Sequence, residues 1–328
     1  MTLFDDLKNK ISDQDLTIVF PEGNDKRVLG AAIRLANDGL LKPIVLGKQD
    51  EIAATAKELG TDLPAAITAM DPENCDQKLF DEMVEQFVAR RHGKNTREDA
   101  EKMLRDVTYF GTMLVYMEKA DGLVSGAAHA TADTVRPALQ IIKTKPGSSR
   151  ISASFLMMRN NEKEKYIFAD CAINIDPNAQ ELAEIALQSA DTAKMFGMDP
   201  RVAMLSFSTK GSAKSDQVTK VVEATKKAHE LAPDLDLDGE LQFDAAFVPS
   251  VGERKAPGSK VAGKANVFVF PELQSGNIGY KIAQRLGKFE AIGPILQGMA
   301  KPVSDLSRGA SEEDVYKVAI LTAAQALM

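Results

Sequence analysis

The sequence predicts an α/β protein with largely parallel sheets, divided into two domains that share a cleft. Three observations carry this expectation. Short β-branched runs at residues 17–20, 43–46, 122–124, 202–207 and 266–270 adjoin amphipathic stretches of helical period, and such alternation packs as helices on a parallel sheet. The 328 residues exceed the common single-domain range, so two cores are expected. The run Lys145-Pro146-Gly147-Ser148-Ser149 has turn chemistry and marks where the chain crosses into its second domain.

Taken in order, residues 24–37 and 76–91 carry long helical patterns, and a helix over 131–144 closes the first half. The charged Glu162-Lys163-Glu164-Lys165 reads as a solvated hairpin turn. Gly293-Pro294 is a second turn signal, followed by a short strand-like run and a final helix at 311–327 that returns to the first domain. The expected domains are therefore 1–146 with 294–328, and 147–293.

Composition narrows the function. No run approaches the roughly 20 apolar residues of a membrane span, and residues 1–10 carry the acidic Asp5 and Asp6 where a secretory signal would be basic and then apolar. A soluble, cytoplasmic protein is expected. Cys75, Cys171 and three histidines are too few for a disulfide framework or a zinc cluster, so no metal ligands are expected. A net charge of −7 argues against nucleic-acid and anionic-membrane partners. An anionic substrate then needs locally clustered Arg and Lys.

Several segments offer such chemistry, each with a plainer alternative. Ser208-Thr209-Lys210-Gly211-Ser212 follows a strand and leads to a helix, a place where N–H groups and Lys210 could hold a phosphate, or where a helix is merely capped. The segment 258–265 nearly fits a P-loop, but Ala265 stands where a Ser or Thr must meet magnesium, and a strand follows where a helix should. What remains is a substrate-contacting loop or a mobile surface connection. No dinucleotide fingerprint is present. Cys171 is either an acyl-accepting nucleophile or a small core residue. His229 reads as surface, while His129 lies in a Gly and Ala-rich loop and is a candidate substrate contact. The loop from Asp305 to Asp314 combines Ser307, Arg308 and Asp314, which could orient an oxyanion, clamp a phosphate and remove a proton. Ser311 and Asp314 also fit a capping box, so Asp314 could simply cap the last helix.

The segment Gly293-Pro294-Ile295-Leu296-Gln297-Gly298-Met299-Ala300-Lys301-Pro302, running into Asp305-Leu306-Ser307-Arg308-Gly309, resembles the signature of phosphate acetyltransferases, within the phosphate acetyl/butyryltransferase family. The block from Ser125-Gly126-Ala127-Ala128-His129 through Thr131 and Arg136 to Gln140 is similar to that family's central motif. Phe20-Pro21-Glu22-Gly23, residues 208–213, Asp238-Gly239-Glu240-Leu241-Gln242 and residues 255–285 agree in order, so the resemblance spans essentially the whole chain.

The resemblance implies a two-domain fold like isocitrate and isopropylmalate dehydrogenases, and a homodimer. It also implies coenzyme A, acetyl-CoA, phosphate and acetyl phosphate as substrates, with no tightly bound cofactor. Ser307, Arg308 and Asp314 become the catalytic positions. Arg136 and Arg90 become anion contacts, with Arg91 the alternative to Arg90, and Ser125, Thr131, Thr209, Lys210, Gly211 and Ser212 join them as substrate-binding positions. The implied reaction is direct acetyl transfer in a ternary complex. A phosphate butyryltransferase would differ in acyl-pocket volume, a dehydrogenase of the related fold would need a nicotinamide and a metal, and a coenzyme A carrier would bind without turnover.

Overall fold

The computed structural model describes residues 2–328. It divides into two compact units: the chain up to Lys145 together with Met299–Met328, and Pro146–Gly298.

The first unit alternates helix and strand: α1 (Leu3–Ile11), β1 (Thr17–Phe20), α2 (Lys26–Asn37), β2 (Lys42–Leu46), α3 (Gln49–Glu58), β3 (Thr68–Met70), α4 (Gln77–Arg91), α5 (Arg97–Met103), α6 (Val107–Tyr116), β4 (Gly122–Ser125) and α7 (Thr131–Ile141). The second contains β5 (Ser152–Arg159), β6 (Glu164–Ala169), α8 (Ala179–Met195), β7 (Val202–Leu205), α9 (Asp216–Leu231), β8 (Leu237–Leu241), α10 (Phe243–Phe247), α11 (Pro249–Lys255), β9 (Val267–Val269), α12 (Leu273–Arg285) and β10 (Glu290–Gln297). The chain then returns to the first unit with β11 (Val303–Asp305) and α13 (Glu312–Ala326).

The first unit's five strands run in the order β11-β4-β1-β2-β3, and every pairing is parallel. Strands such as β4 are buried on both faces, as a parallel sheet between helix layers requires. The last helix, α13, fills one layer: Val315, Tyr316 and 318–324 are all buried. Each of its larger apolar side chains contributes about 1.5–3 kcal/mol by leaving water. Tyr316 keeps its hydroxyl bonded to Asp38 at 2.6 Å, with the Arg34 guanidinium 3.7 Å over its ring. Thus the end of the chain is locked onto α2.

The second unit's sheet is mixed, in the order β10-β5-β6-β9-β7-β8. Strands β6, β9, β7 and β8 are parallel, and β5 and β10 add an antiparallel pair at one edge. The charge run does mark a hairpin, since β5 and β6 pair through the turn that precedes Glu164. Gly293-Pro294, by contrast, lies inside β10 at the register shift between Ile292 and Ile295. Proline has no N–H to give a ladder, and a bulge is where a strand tolerates it. The 258–265 segment is not a mobile connection: Val261, Ala262 and Ala265 are buried in one cluster with Phe168 and Phe268.

Gln297 ends β10 almost fully buried and is held by hydroxyls. Ser152 donates to its Oε1 at 2.9 Å, and its Nε2 donates to Ser154 at 3.0 Å and Thr192 at 2.6 Å. Replacing it with leucine keeps the volume and strands those hydroxyls. Gln297→Leu is expected to lower stability by about 2–4 kcal/mol, read from the urea midpoint. An unchanged midpoint would mean that the network contributes nothing.

Candidate active site

Three loops leave the carboxyl ends of neighbouring parallel strands in the first unit: Pro21 to Asp25 after β1, Gly126 to Ala130 after β4, and Leu306 to Ser311 after β11. Ligand sites of open α/β sheets form at this edge. Glu22 organises the first two loops. Its carboxylate is 2 % exposed, and a buried charge is tolerated only when hydrogen bonds replace its water. Oε2 accepts the N–H groups of Gly126 and Ala127 at 3.1 and 2.9 Å, and Oε1 those of Ala128 and His129 at 2.8 and 3.0 Å. Oε1 also meets His129 Nδ1 at 2.7 Å. A carboxylate holding four N–H groups is an acceptor, so the proton of this fifth contact sits on Nδ1 and Nε2 is left for other partners.

Gly126 makes the turn possible. Its φ is +114°, and a Cβ there would stand 2.5 Å from Asp305 Oδ1 and 2.7 Å from the Leu306 backbone. Arg27 then ties the second and third loops together. Its Nη1 donates to the carbonyls of Arg308 and Ala310, both at 2.8 Å, and Nη2 to that of Ala127 at 2.8 Å. Asp25 holds the guanidinium through Nε at 3.1 Å and Nη2 at 2.8 Å. Each of the five N–H donors of Arg27 therefore has an acceptor.

The catalytic positions expected from sequence sit on the third loop and its helix. Ser307 and Arg308 are exposed, and Ser307 Oγ accepts the Gly309 N–H at 3.2 Å. The Arg308 guanidinium has no hydrogen-bond or ion-pair partner among the described residues. Asp314 is also exposed and completes the capping box of α13: its Oδ2 accepts from the Ser311 N–H and hydroxyl, both at 2.8 Å. The capping reading of Asp314 therefore holds in this structure.

Arg136, on α7, is likewise exposed and unpartnered among the described residues. It shares a cavity of about 630 Å³ with His129, Tyr109, Asp133 and Lys102. Arg90 is differently placed. Its Nε and Nη2 donate to the carbonyls of Ile141 and Ile142 at 2.6 and 2.9 Å, closing the end of α7, a position that favours a cation. Arg91 donates to Asn95 at 2.9 Å. Burial, then the charges of Arg90, Lys94 and Arg91, push the Lys143 ammonium below its usual range. Lys143 thus belongs to a basic cluster that sequence reading overlooked, having examined only the arginine pair.

Ser125 faces inward, whereas Thr131 is exposed and only its hydroxyl reaches a buried partner. Ser125 is fully buried and its Oγ has no hydrogen-bond partner, while Thr131 donates to Asp305 Oδ2 at 2.7 Å. Burial pushes Asp305 up to about 6, against the Thr131 and Thr134 hydroxyls and helped by the charge of Glu22. Its Oδ1 has no bond of ordinary geometry.

In the second unit the loop after β7 is closed upon itself. Lys210 pairs with Asp238 and donates to the Gly239 carbonyl at 2.8 Å. Glu240, 3 % exposed, accepts the Gly211 N–H at 2.7 Å and the Ser208 hydroxyl at 2.9 Å. Thr209 bonds Gln242 at 3.2 Å, and Ser212 accepts the Thr209 N–H at 3.0 Å. The anion expected at this loop finds its donors occupied by two carboxylates of β8. Cys171 is fully buried, and burial, with Asp170 beside it, pushes its thiol well up, which suits a core residue and not a nucleophile. No group of three or more His, Cys, Asp or Glu among the described residues is placed to hold a metal ion, and no helix there is long and apolar enough to cross a membrane.

A sequence profile of the phosphate acetyl/butaryl transferase family matches residues 2–323. The phosphate acetyltransferase of Bacillus subtilis is 61% identical over 325 residues, 99% of each chain. That of Staphylococcus epidermidis is 60% identical over 326 residues, 98% of each. The crystal structure of a phosphotransacetylase from Streptococcus pyogenes superposes with a TM-score of 0.96 at 65% identity, covering 99% of this chain and 98% of that one. A two-unit α/β chain with these likenesses is an acyltransferase. It belongs to the phosphate acetyl/butaryl transferase family.

Asp305 gives the site a pH signature. Its folded-state value of about 6 lies above the ordinary 3.8, so between the two the folded state holds more protons than the unfolded one, and stability falls as pH rises. Asp305→Asn, which keeps an acceptor for Thr131, is expected to gain about 1–3 kcal/mol over wild type above about pH 7 and nothing near pH 4. Parallel wild-type and variant urea curves at both pH values check this, and a pH-independent difference would contradict it.

Proposed function

We propose that the chain is a cytoplasmic phosphate acetyltransferase, which moves an acetyl group reversibly between coenzyme A and inorganic phosphate. The observation that carries this is Arg308: an exposed, unspent guanidinium on a loop clamped by Arg27, in a chain 61% identical to a phosphate acetyltransferase. Transfer is direct, in a ternary complex, with no resident cofactor or metal. In the thioester-forming direction Asp314 takes the coenzyme A thiol proton and the thiolate attacks the acetyl carbonyl. The Ser307 hydroxyl donates to the tetrahedral oxyanion, and Arg308 with Arg136 holds the departing phosphate. Arg90 is the poorer partner, since two of its donors already face carbonyls of α7. The site residues of the second unit bind no phosphate directly in this reading, because Asp238 and Glu240 already occupy the loop.

Self-association fits α12 and its C-cap, where Ile278, Ile282 and the capping Leu286 form an i, i+4, i+8 stripe that is 56%, 53% and 81% exposed. Water-facing apolar stripes of this kind mark association surfaces, and a homodimer is the simplest closed assembly.

Thioester formation from acetyl phosphate and, separately, butyryl phosphate tests the reaction, with a chelator present. Acetyl-selective, chelator-insensitive turnover is expected, falling about 10²–10⁴-fold in a folded Asp314→Asn variant. Inactivity of the wild type on both substrates would overturn the assignment, butyryl preference would change the acyl group, and a fully active Asp314→Asn would leave that residue only its cap. For assembly, Ile282→Glu with Leu286→Glu is expected to turn a dimer into a monomer in light scattering, and an unchanged mass would remove α12 from the interface.

A further inference from the structure

The proposed reaction has two proton problems, and Asp314 addresses one. In acetyl phosphate at neutral pH the phosphoryl group is a dianion, so breaking the acetyl C–O bond unaided would expel a phosphate trianion. That is a very basic leaving group, and a proton must reach its bridging oxygen as the bond breaks. The reverse step is the mirror image: hydrogen phosphate must give up its proton as it attacks the thioester. A group near the bound phosphate must therefore donate and accept a proton around neutral pH, which is the range of an imidazole.

We infer that His129, held by Glu22, is this second proton-transferring residue, acting at the phosphate while Asp314 acts at the thiol. The inference rests on the acetyltransferase reading above. Its geometric basis is threefold. Glu22 fixes the ring by the 2.7 Å contact to Nδ1, so Nε2 is the nitrogen free to exchange a proton. The carboxylate is itself immobilised by four backbone N–H groups, so the ring is aimed by a rigid support. The ring shares its cavity with Arg136, whose guanidinium is unspent and suited to phosphate. Arg27 links the same loop, through the Ala127 carbonyl, to the loop bearing Ser307 and Arg308.

The step balances. The thiol S–H bond breaks and its proton goes to Asp314. The thiolate forms the C–S bond, the C–O bond breaks, and the phosphate leaves with that electron pair while taking the proton from Nε2 of the imidazolium. Exchange with water returns Asp314 and His129 to their starting forms. Glu22 touches the ring from outside the cavity, and the titratable groups lining the cavity with the ring are Asp133 and Arg136 on α7, Asp99 and Lys102 on α5, and Asp106 and Tyr109 at the head of α6.

The test compares wild type, His129→Gln and His129→Ala in thioester formation from acetyl phosphate, between about pH 5 and about pH 8. The expected result is a loss in kcat of about 10²–10³-fold at the alkaline end, with the KM for acetyl phosphate changed less than about threefold. The deficit should shrink toward the acid end, because the substrate there carries its own proton, and added imidazole should restore part of the His129→Ala rate. A merely structural role would produce neither the pH-dependent deficit nor the rescue. His129→Gln within about twofold of wild type at every pH, or a raised KM with unchanged kcat, would overturn the proposal. If His129→Gln fails to fold, the imidazole response of His129→Ala decides alone. Failure of the acetyltransferase reading itself would look different, as a wild type that makes no thioester.

Discussion

The site of the first unit depends on one buried carboxylate. Glu22 is removed from water at the end of β1, and an ionised group so placed would cost several kcal/mol if left unpaired. It is matched by four successive N–H groups, from Gly126 to His129, which would otherwise be orphaned in a loop that belongs to no helix or strand. The two needs cancel each other. The loop cannot take another path without stranding the carboxylate, and the carboxylate cannot swing out without stranding the loop. Its geometry is thereby fixed without any packing of large side chains, which suits a surface meant to stay open to small molecules.

Arg27 extends the same logic to the third loop. A guanidinium offers five donors in a rigid plane, and here they go to Asp25 and to carbonyls on two different loops. Carbonyls at loop ends are as much in need of partners as N–H groups, so Arg27 supplies what Glu22 cannot. One anion collects the amides and one cation collects the carbonyls. The sheet beneath, in the order β11-β4-β1, brings the three loops side by side.

Much of the fold was legible because it rests on local rules. Five of the strands, β1, β2, β4, β7 and β9, announced themselves as β-branched runs, and the helical patterns of α4 and α13 start at Asp76 and Ser311, which the structure shows capping them. Gly293-Pro294 misled because its chemistry fits a turn and a bulge equally well, and only the partner strand β5 decides between them. The candidate site was legible in part for the same reason. Ser307, Arg308 and Asp314 lie in one short loop and its helix, whereas the Glu22 to His129 contact spans 107 residues of sequence and could not be read from spacing. The only signal was that both residues fell within blocks of the family resemblance, which says that they matter and not what they touch.

The second unit shows why a loop's own composition is an unsafe guide to anion binding. Ser208 to Ser212 has the small residues, the hydroxyls and the lysine that a phosphate would want, yet Asp238 and Glu240 from the neighbouring strand reach the same donors first. Lys210 is one cation consumed in this way. The informative question is therefore which cations the fold leaves unspent. Lys210, Arg27 and Arg90 all have internal acceptors, and a bound anion would have to compete with each of them. Arg308 and Arg136 have none among the described residues, and both stand at the edge that Glu22 and Arg27 hold rigid. An exposed ion pair would add little stability there, so leaving these guanidinium groups unpaired costs the fold almost nothing, and anion binding is the use we propose for them.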